Sequence, residues 1–353
     1  MSYVGPDRRQ GTPPTGLDRG RSSGLDGLRA MAAVIVVLFH LQTVSGVSFG
    51  PFAPLVHGGD TGVFVFFALS GYLLYKPFVG GRPDLVSYGA KRVGRIVPGY
   101  LVALVGLVVL TGSRLPLEHP LPYLAIASSY DLELRGFLGN AWTLSAEVLF
   151  YATLPLIAAW VGRGGAGRGE LRRLAVLGLA SVAASLLHIV TLTWDTAWLI
   201  GTYPVVFYAF VPGMALAVVE RRHPAVFARL AHPAMPVVGI TLIAAGALLR
   251  GMPIPVGAAI GTPLVMGWLL HHRVPAPKAL AFAGGASYAA YLWHKDLFIA
   301  FGPWLGLALT IGASALSWWL IERPVLAKVH WWTALRTRPE AQAVQAPVPA
   351  GAP

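Results

Sequence analysis

Long apolar runs with very few charges recur along this 353-residue chain, and they limit its possible folds more than any other feature. Several of them reach about 17 residues, close to the length that a helix needs to cross a bilayer. Charged residues make up only 12% of the chain, whereas a soluble domain usually carries about a quarter. The sequence therefore predicts an all-α, polytopic membrane protein.

The apolar runs define about ten transmembrane helices, and the basic residues orient them. With a cytoplasmic N-terminus, all but four of the 27 Lys and Arg residues fall on the cytoplasmic side, as the positive-inside rule requires. This pattern predicts that both termini are cytoplasmic, and it accounts for the net charge of +12 without nucleic-acid binding. The predicted spans are residues 28–46, 62–79, 96–112, 141–161, 173–191, 197–219, 233–250, 254–271, 281–300 and 303–321.

The two ends of the chain differ in composition from the apolar part. Residues 1–24 are polar and rich in Gly, Pro and Arg, which is typical of a disordered cytoplasmic arm rather than a signal peptide. Residues 336–353 are rich in Ala and Pro and read as a second disordered tail, which leaves 25–326 as the transmembrane domain. Within that domain, 119–135 is too short for another span and reads as an outer re-entrant or interfacial segment.

Arg29 and His40 lie on the first apolar run, eleven residues apart. Eleven residues are nearly three helical turns, so both side chains face the same way and are separated by roughly 16 Å along the axis. The arrangement places a cation near one membrane face and an imidazole near mid-depth, where ionisable groups mark substrate or proton paths. A buried histidine bonded to a neighbouring helix is the alternative.

The cytoplasmic end of the third span carries Arg92 and Arg95, which are three residues apart and share one face of a helix. Two guanidinium groups there suit a polyphosphate, and Arg29 lies at the same membrane face. Ordinary anchoring by positive residues is the alternative. Ser70, inside the second span, would by default make a close helix–helix contact.

Glu147 lies about 9 Å along the fourth span from its outer end, too deep for a surface charge. A buried carboxylate needs a partner, and His40 at similar depth is the expected one. Such a pair would orient the imidazole as a general base for a hydroxyl, with a purely structural ion pair as the alternative. Trp142, at the outer end of the same span, fits either the acceptor site or the aromatic belt.

The ninth span carries a polar stripe that contains Tyr291 and His294. His294 approaches the outer face, where it would touch a polar acceptor or the interface, and Tyr291 is a candidate hydrogen-bond donor beside it. The chain has no cysteine, which excludes disulfides, thiolate catalysis and cysteine metal sites, and we predict no metal.

The chain resembles the acyltransferase-3 family of integral-membrane O-acyltransferases, which includes O-antigen acetylases and macrolide O-acyltransferases. The segments that carry the resemblance occur in family order between residue 25 and about residue 326. The resemblance implies ten membrane helices, an acyl-CoA donor bound from the cytoplasm and transfer to a hydroxyl. The segments are LDGLRA…LFH, FFALSGYLL, RVGR followed by Pro98, WTLSAEVLFY, SYAAYLWH and ERP.

The resemblance also implies roles for single residues. His40 matches the catalytic histidine of the family and Arg29 its partner arginine. Arg92 and Arg95 match the motif associated with the CoA phosphates, and Glu147 matches the acidic residue of the WTL segment. We assign Ser70 to the donor site, and Trp142, Tyr291 and His294 to the acceptor site.

These features together predict a multi-pass enzyme of the bacterial plasma (inner) membrane. It would move an acyl group, with acetyl from acetyl-CoA as the expected donor, to a hydroxyl of a sugar, glycolipid or surface glycan, with His40 as general base. Its partners would be acyl-CoA, the glycan or glycolipid acceptor and membrane lipid. The alternative is a conduit that passes acyl groups across the membrane to a separate transferase.

Overall fold

A computed structural model describes residues 23–131, 133–191, 203–249 and 256–336, and these ranges contain helices and no strand. The predicted arm at 1–24 lies outside them except for its last two residues, which begin the first helix. The predicted tail at 336–353 lies outside them except for Arg336. The helices are α1 Ser23–Ser45, α2 Ala53–His57, α3 Gly62–Tyr75, α4 Leu85–Thr111, α5 Leu115–Glu118, α6 Pro120–Leu124, α7 Trp142–Gly162, α8 Arg168–Thr191, α9 Tyr203–Val206, α10 Val211–Arg222, α11 Pro224–Arg229, α12 Ala234–Leu248, α13 Val256–His272, α14 Lys278–Phe301, α15 Pro303–Ser317 and α16 Arg323–Arg336.

Six helical segments of the described chain are long and apolar enough to cross a membrane. They correspond to α1, α3 with its flanking turns, α4, α7, α8, and α15 joined to α16. The segments Tyr203–Ala209 and Val211–Arg222, which meet at 41°, would together form a seventh. Each of the ten predicted spans overlaps a helix, but the count of ten and the orientation of the termini stay predictions.

The region between α4 and α7 contains no long helix, which agrees with its exclusion from the predicted spans. It folds as α5, α6 and three 3-10 turns. Tyr123 anchors it, because its hydroxyl donates to the Leu134 carbonyl at 2.8 Å while its own carbonyl accepts from Tyr100 at 2.7 Å. Burial raises the pKa of the Tyr123 phenol to about 12, so the hydroxyl stays protonated and keeps donating.

Glycine allows the closest helix pairs of the bundle to form. A methyl group on Gly284 of α14 would overlap the Asp26 carbonyl of α1, and α1 and α14 form the most extensive helix pair of the described chain. Gly71 of α3 similarly lies against the Phe210 carbonyl just before α10, and Gly213 of α10 lies against the Ala68 carbonyl of α3. Small residues at membrane helix contacts let backbones approach in this way. These contacts fix the pairing of α1 with α14 and of α3 with α10.

Candidate active site

Two cavities occupy the interior between α1, α3, α7 and α14. The arginine cavity has a volume of about 340 Å³ and is lined by Arg29, Arg92 and Arg95 among others. The histidine cavity has a volume of about 1100 Å³ and is lined by His40 and His188 among others. Arg29 and His40 therefore open onto different cavities, although they lie on one helix.

The two cavities are stacked along the helix axes. All four helices pass from one cavity to the other, and the residues change in a consistent order. Val63 and Tyr291 line both cavities and form the wall between them. From the arginine cavity to the histidine cavity, the order is Arg29 then His40 on α1, Ser70 then Phe64 on α3, Glu147 then Trp142 on α7, and Ser287 then Lys295 on α14.

Arg92 and Arg95 have different surroundings, although both line the arginine cavity. The Arg95 guanidinium lies 3.5 Å from the Glu322 carboxylate, which is 1% exposed, and it also packs over the rings of Tyr288 and Trp318. Arg92 packs over the Tyr151 ring at 5.8 Å, and its buried Nε has no hydrogen-bond partner among the described residues. Arg92 is therefore the arginine of the motif with an unused donor.

Glu147 faces the arginine cavity and bonds to two hydroxyl groups there. Ser70 Oγ donates to Oε1 at 2.6 Å and Tyr151 OH donates to Oε2 at 3.2 Å. The expected pair between Glu147 and His40 does not form, because Glu147 lines the arginine cavity and His40 lines the histidine cavity, and each has other partners. Ser70 and Glu147 are thus hydrogen-bonded to each other in the arginine cavity, and His40 has a different partner.

That partner is His294. Nε2 of His294 lies 3.0 Å from Nδ1 of His40, and the two ring centroids are 4.8 Å apart at an interplanar angle of 68°. His294 is fully buried and lines neither cavity. The ring is covered by protein, so this structure does not bring it to the acceptor or to the membrane interface, and its assignment to the acceptor site stays a prediction. The sequence places His40 and His294 on two spans but does not show that these spans are neighbours or how they align along the axis. The contact was therefore not predicted.

Polar and aromatic groups share the lining of the histidine cavity. Trp142 and Tyr208 provide aromatic surfaces, and Asp60, Asn140 and Lys295 provide charged or amide groups. Asp60 and Lys295 form no ion pair with each other. Lys295 makes no hydrogen bond or ion pair within the described ranges and was not singled out by the sequence analysis. Aromatic faces beside hydrogen-bonding groups suit a hydroxyl-bearing ligand.

Tyr291 is held in the wall by two hydrogen bonds to the start of α7. Its hydroxyl donates to the Asn140 carbonyl at 2.7 Å and accepts from Thr143 Oγ1 at 2.9 Å. The Asn140 side-chain amide donates in return to the Tyr291 carbonyl. Asp296 adds a further bond by accepting from the Leu138 amide at 3.1 Å. The wall is thus made by α14 and the segment before α7 acting together.

A family model described as an acyltransferase domain, of the acyltransferase-3 family, matches residues 22–323. The chain belongs to this family. Together with the six candidate membrane helices, the match identifies the chain as a multi-pass integral membrane protein. No solved structure shows a significant match to it.

Three curated proteins are similar to parts of this acyltransferase-3 chain. The exopolysaccharide production protein ExoZ of Rhizobium meliloti (strain 1021) is 29% identical over 300 residues, which is 76% of this chain and 90% of ExoZ. O-acetyltransferase OatA of Staphylococcus aureus (strain NCTC 8325 / PS 47) is 24% identical over 190 residues, 48% of this chain and 30% of OatA. The putative peptidoglycan O-acetyltransferase YrhL of Bacillus subtilis (strain 168) is 29% identical over 155 residues, 38% of this chain and 23% of YrhL. The chain thus matches less than a third of the length of OatA or YrhL.

Proposed function

We propose that this protein is a membrane O-acyltransferase that moves an acetyl group from acetyl-CoA to a hydroxyl of a glycan or glycolipid. The observation that carries the proposal is the stacking of a cavity lined by arginines on a cavity lined by a histidine, with one wall between them. A donor with a polyphosphate end and an acceptor with a hydroxyl would each find suitable chemistry in one of the two.

The arginine cavity is the donor site in this proposal. Phosphate oxygens of CoA would accept from Arg92, whose Nε is buried without a partner, and Lys91 lines the same cavity. Charge-assisted hydrogen bonds to phosphate are among the stronger polar contacts in proteins. The pantetheine arm would extend along Ser70 and Glu147 to the wall, and the thioester would meet the acceptor hydroxyl beside His40 once the Tyr291 ring moves aside. In this proposal the arginine cavity opens to the cytoplasm, where acetyl-CoA is made, and both termini of this plasma-membrane protein are cytoplasmic; the excess of Lys and Arg in the loops on that side supports the orientation.

The histidine cavity is the acceptor site, and His40 is the base. His40 Nε2 takes the proton of the acceptor hydroxyl while the hydroxyl oxygen bonds to the thioester carbonyl carbon. The carbon–sulfur bond then breaks, and the imidazolium returns its proton to the CoA thiolate. The products are the acetyl ester and CoA, and His40 is neutral again. A positioned base of this kind accelerates the chemical step by about 10²- to 10⁴-fold.

The relatives support a glycan acceptor, since two of them are named O-acetyltransferases, one putatively for peptidoglycan, and the third is named for exopolysaccharide production. The test is to incubate the purified protein in lipid nanodiscs with [¹⁴C-acetyl]-CoA and envelope extract from a strain that lacks this gene. We expect free CoA and base-labile label on an envelope glycan or glycolipid in equal amounts. Absence of labelled acceptor in nanodiscs, together with label that accumulates inside sealed liposomes containing the same protein, would favour the conduit instead.

The absence of cysteine allows a direct test of the two-sided arrangement. Leu73→Cys would put a thiol in the arginine cavity and Leu242→Cys would put one in the histidine cavity. A membrane-impermeant maleimide should label Leu242→Cys in whole cells and Leu73→Cys only in inverted vesicles, where acetyl-CoA should protect it. Labelling of both thiols from one side would contradict the assignment.

A further inference from the structure

The contact between His40 and His294 is suited to more than helix packing. Both histidines make the same hydrogen bond within their own helix. Nδ1 of each lies 3.0 Å from the carbonyl oxygen four residues earlier, Val36 for His40 and Ala290 for His294. The two rings are then joined through Nε2 of His294 and Nδ1 of His40 at 3.0 Å. Four polar groups thus lie in one row from Val36 to Ala290.

The positions of the protons follow from these three distances. A carbonyl oxygen only accepts, so Nδ1 of each neutral histidine must carry the proton that points at its carbonyl. His294 Nε2 is then unprotonated and accepts from His40 Nδ1, whose single proton is shared between Val36 O and His294. Any other neutral arrangement sets two acceptors against each other. The only nitrogen left with a free lone pair is Nε2 of His40, which belongs to the residue that lines the histidine cavity.

We propose that His294 is a positioning residue for the general base His40, an inference that rests on the proposed function. When Nε2 takes the acceptor proton, the positive charge spreads to Nδ1, whose proton keeps both acceptors, Val36 O and His294 Nε2, and is held more strongly by each. Hydrogen bonds to a charged group are stronger than those between neutral groups, so His294 stabilises the imidazolium more than the neutral base. Such an interaction lowers the barrier rather than tightening ground-state binding.

The surroundings of His294 keep it in this role. The ring is 0% exposed and packs against Tyr291 and Phe298, with centroids 5.8 and 5.9 Å away. The two histidine-bearing helices, α1 and α14, form the most extensive helix pair of the described chain and also pack closely at Gly284. A buried imidazole that cannot reach either cavity has no route to a substrate, so it can act only through His40.

Two substitutions separate positioning from packing. His294→Phe keeps a ring of similar size but removes the acceptor, and His294→Gln replaces Nε2 by an amide oxygen at nearly the same reach. We expect His294→Phe to lower kcat roughly tenfold to a hundredfold with the KM for acetyl-CoA unchanged, and His294→Gln to recover most of the loss. His57→Phe, a histidine outside both cavities, is the control. Unchanged kcat in His294→Phe, or equal losses in the Phe and Gln variants, would overturn the proposal.

A measurement on the unmodified protein covers the case in which a variant fails to fold. In protein labelled with ¹⁵N-histidine, a scalar coupling across the N–H···N bond should join Nδ1 of His40 to Nε2 of His294, and His40→Gln would assign it. A His40 that carries its proton on Nε2, or the absence of the coupling, would overturn the proposal. The proposed function has a separate test: it fails if a well-folded His40→Ala protein keeps full activity. A dead His40→Ala beside a fully active His294→Phe would overturn only the role of His294.

Discussion

Arg95 and Glu322 are joined by an ion pair of 3.5 Å that links α4 to the π-turn before α16. Ser317 also donates to Glu322, at 3.1 Å. Because the carboxylate is almost completely buried, the Arg95 charge serves chiefly to balance it. The motif that the sequence presents as a symmetric pair of phosphate ligands is therefore divided between a structural arginine and Arg92, which retains a free donor.

This division predicts opposite consequences for two similar substitutions. Arg92→Ala should raise the KM for acetyl-CoA about tenfold or more, because a charge-assisted phosphate contact is worth about 1.5–3 kcal/mol, and should leave the melting temperature unchanged. Arg95→Ala should destabilise the protein by about 3–5 kcal/mol, because it leaves Glu322 buried without its partner. Thermal unfolding and steady-state kinetics of both variants check this. If Arg95→Ala/Glu322→Gln fails to recover stability, the structural role of Arg95 is wrong.

The second prediction concerns the base. His40→Ala should abolish transfer, with a fall in kcat of about 10²-fold or more, because it removes the proposed general base. Acetyl-CoA binding, measured by calorimetry, should be nearly unchanged, since His40 does not line the arginine cavity. Transfer at the wild-type rate by a well-folded His40→Ala protein would remove His40 from the mechanism.

A third prediction follows from the separation of Glu147 and His40. Glu147→Gln keeps one acceptor oxygen but turns an NH₂ group towards Ser70 or Tyr151, so it should disturb the donor site and lower kcat/KM for acetyl-CoA. Because Glu147 and His294 share no partner, the losses of Glu147→Gln and His294→Phe should add on a logarithmic scale, whereas those of Glu147→Gln and Ser70→Ala should not. Strong coupling between Glu147→Gln and His294→Phe would instead support a pair between Glu147 and His40, which the similar depth of those two residues predicts.

Apolar runs predicted most helices, because both the lipid-facing and the buried positions of a membrane helix are apolar. A run of sufficient length therefore identifies a span. The sequence of 323–336 is charged and carries no apolar run, so nothing in that pattern predicts α16, whose Trp331 is 66% exposed. Depth along a helix could be estimated by counting residues. Counting residues could not show which helices are neighbours. For that reason the sequence analysis paired His40 with Glu147, whereas in the structure the partner of His40 is His294.

Helix neighbours depend instead on glycines whose importance is visible only in three dimensions. Gly284→Ala should destabilise the protein by about 1–3 kcal/mol, because the added methyl group meets the Asp26 backbone, which cannot move without separating α1 from α14. Gly312→Ala is the matched control, since no atom lies within 4 Å of the added methyl group on α15. Thermal melting in nanodiscs should show a lower midpoint for the first variant only. Equal midpoints would mean that the α1–α14 contact tolerates expansion.

The last prediction concerns the wall at Tyr291. If the wall keeps water in the histidine cavity away from the thioester until an acceptor is bound, removing its ring should uncouple donor cleavage from transfer. Tyr291→Ala should therefore release CoA without acceptor, and the ratio of CoA released to acetyl ester formed should rise well above one. Tyr291→Phe is the matched control, because it loses the hydrogen bonds to Asn140 and Thr143 but keeps the ring, so its ratio should stay near one. A ratio of one in Tyr291→Ala would show that the separation of the cavities does not protect the donor, and that water is excluded from the thioester by other residues.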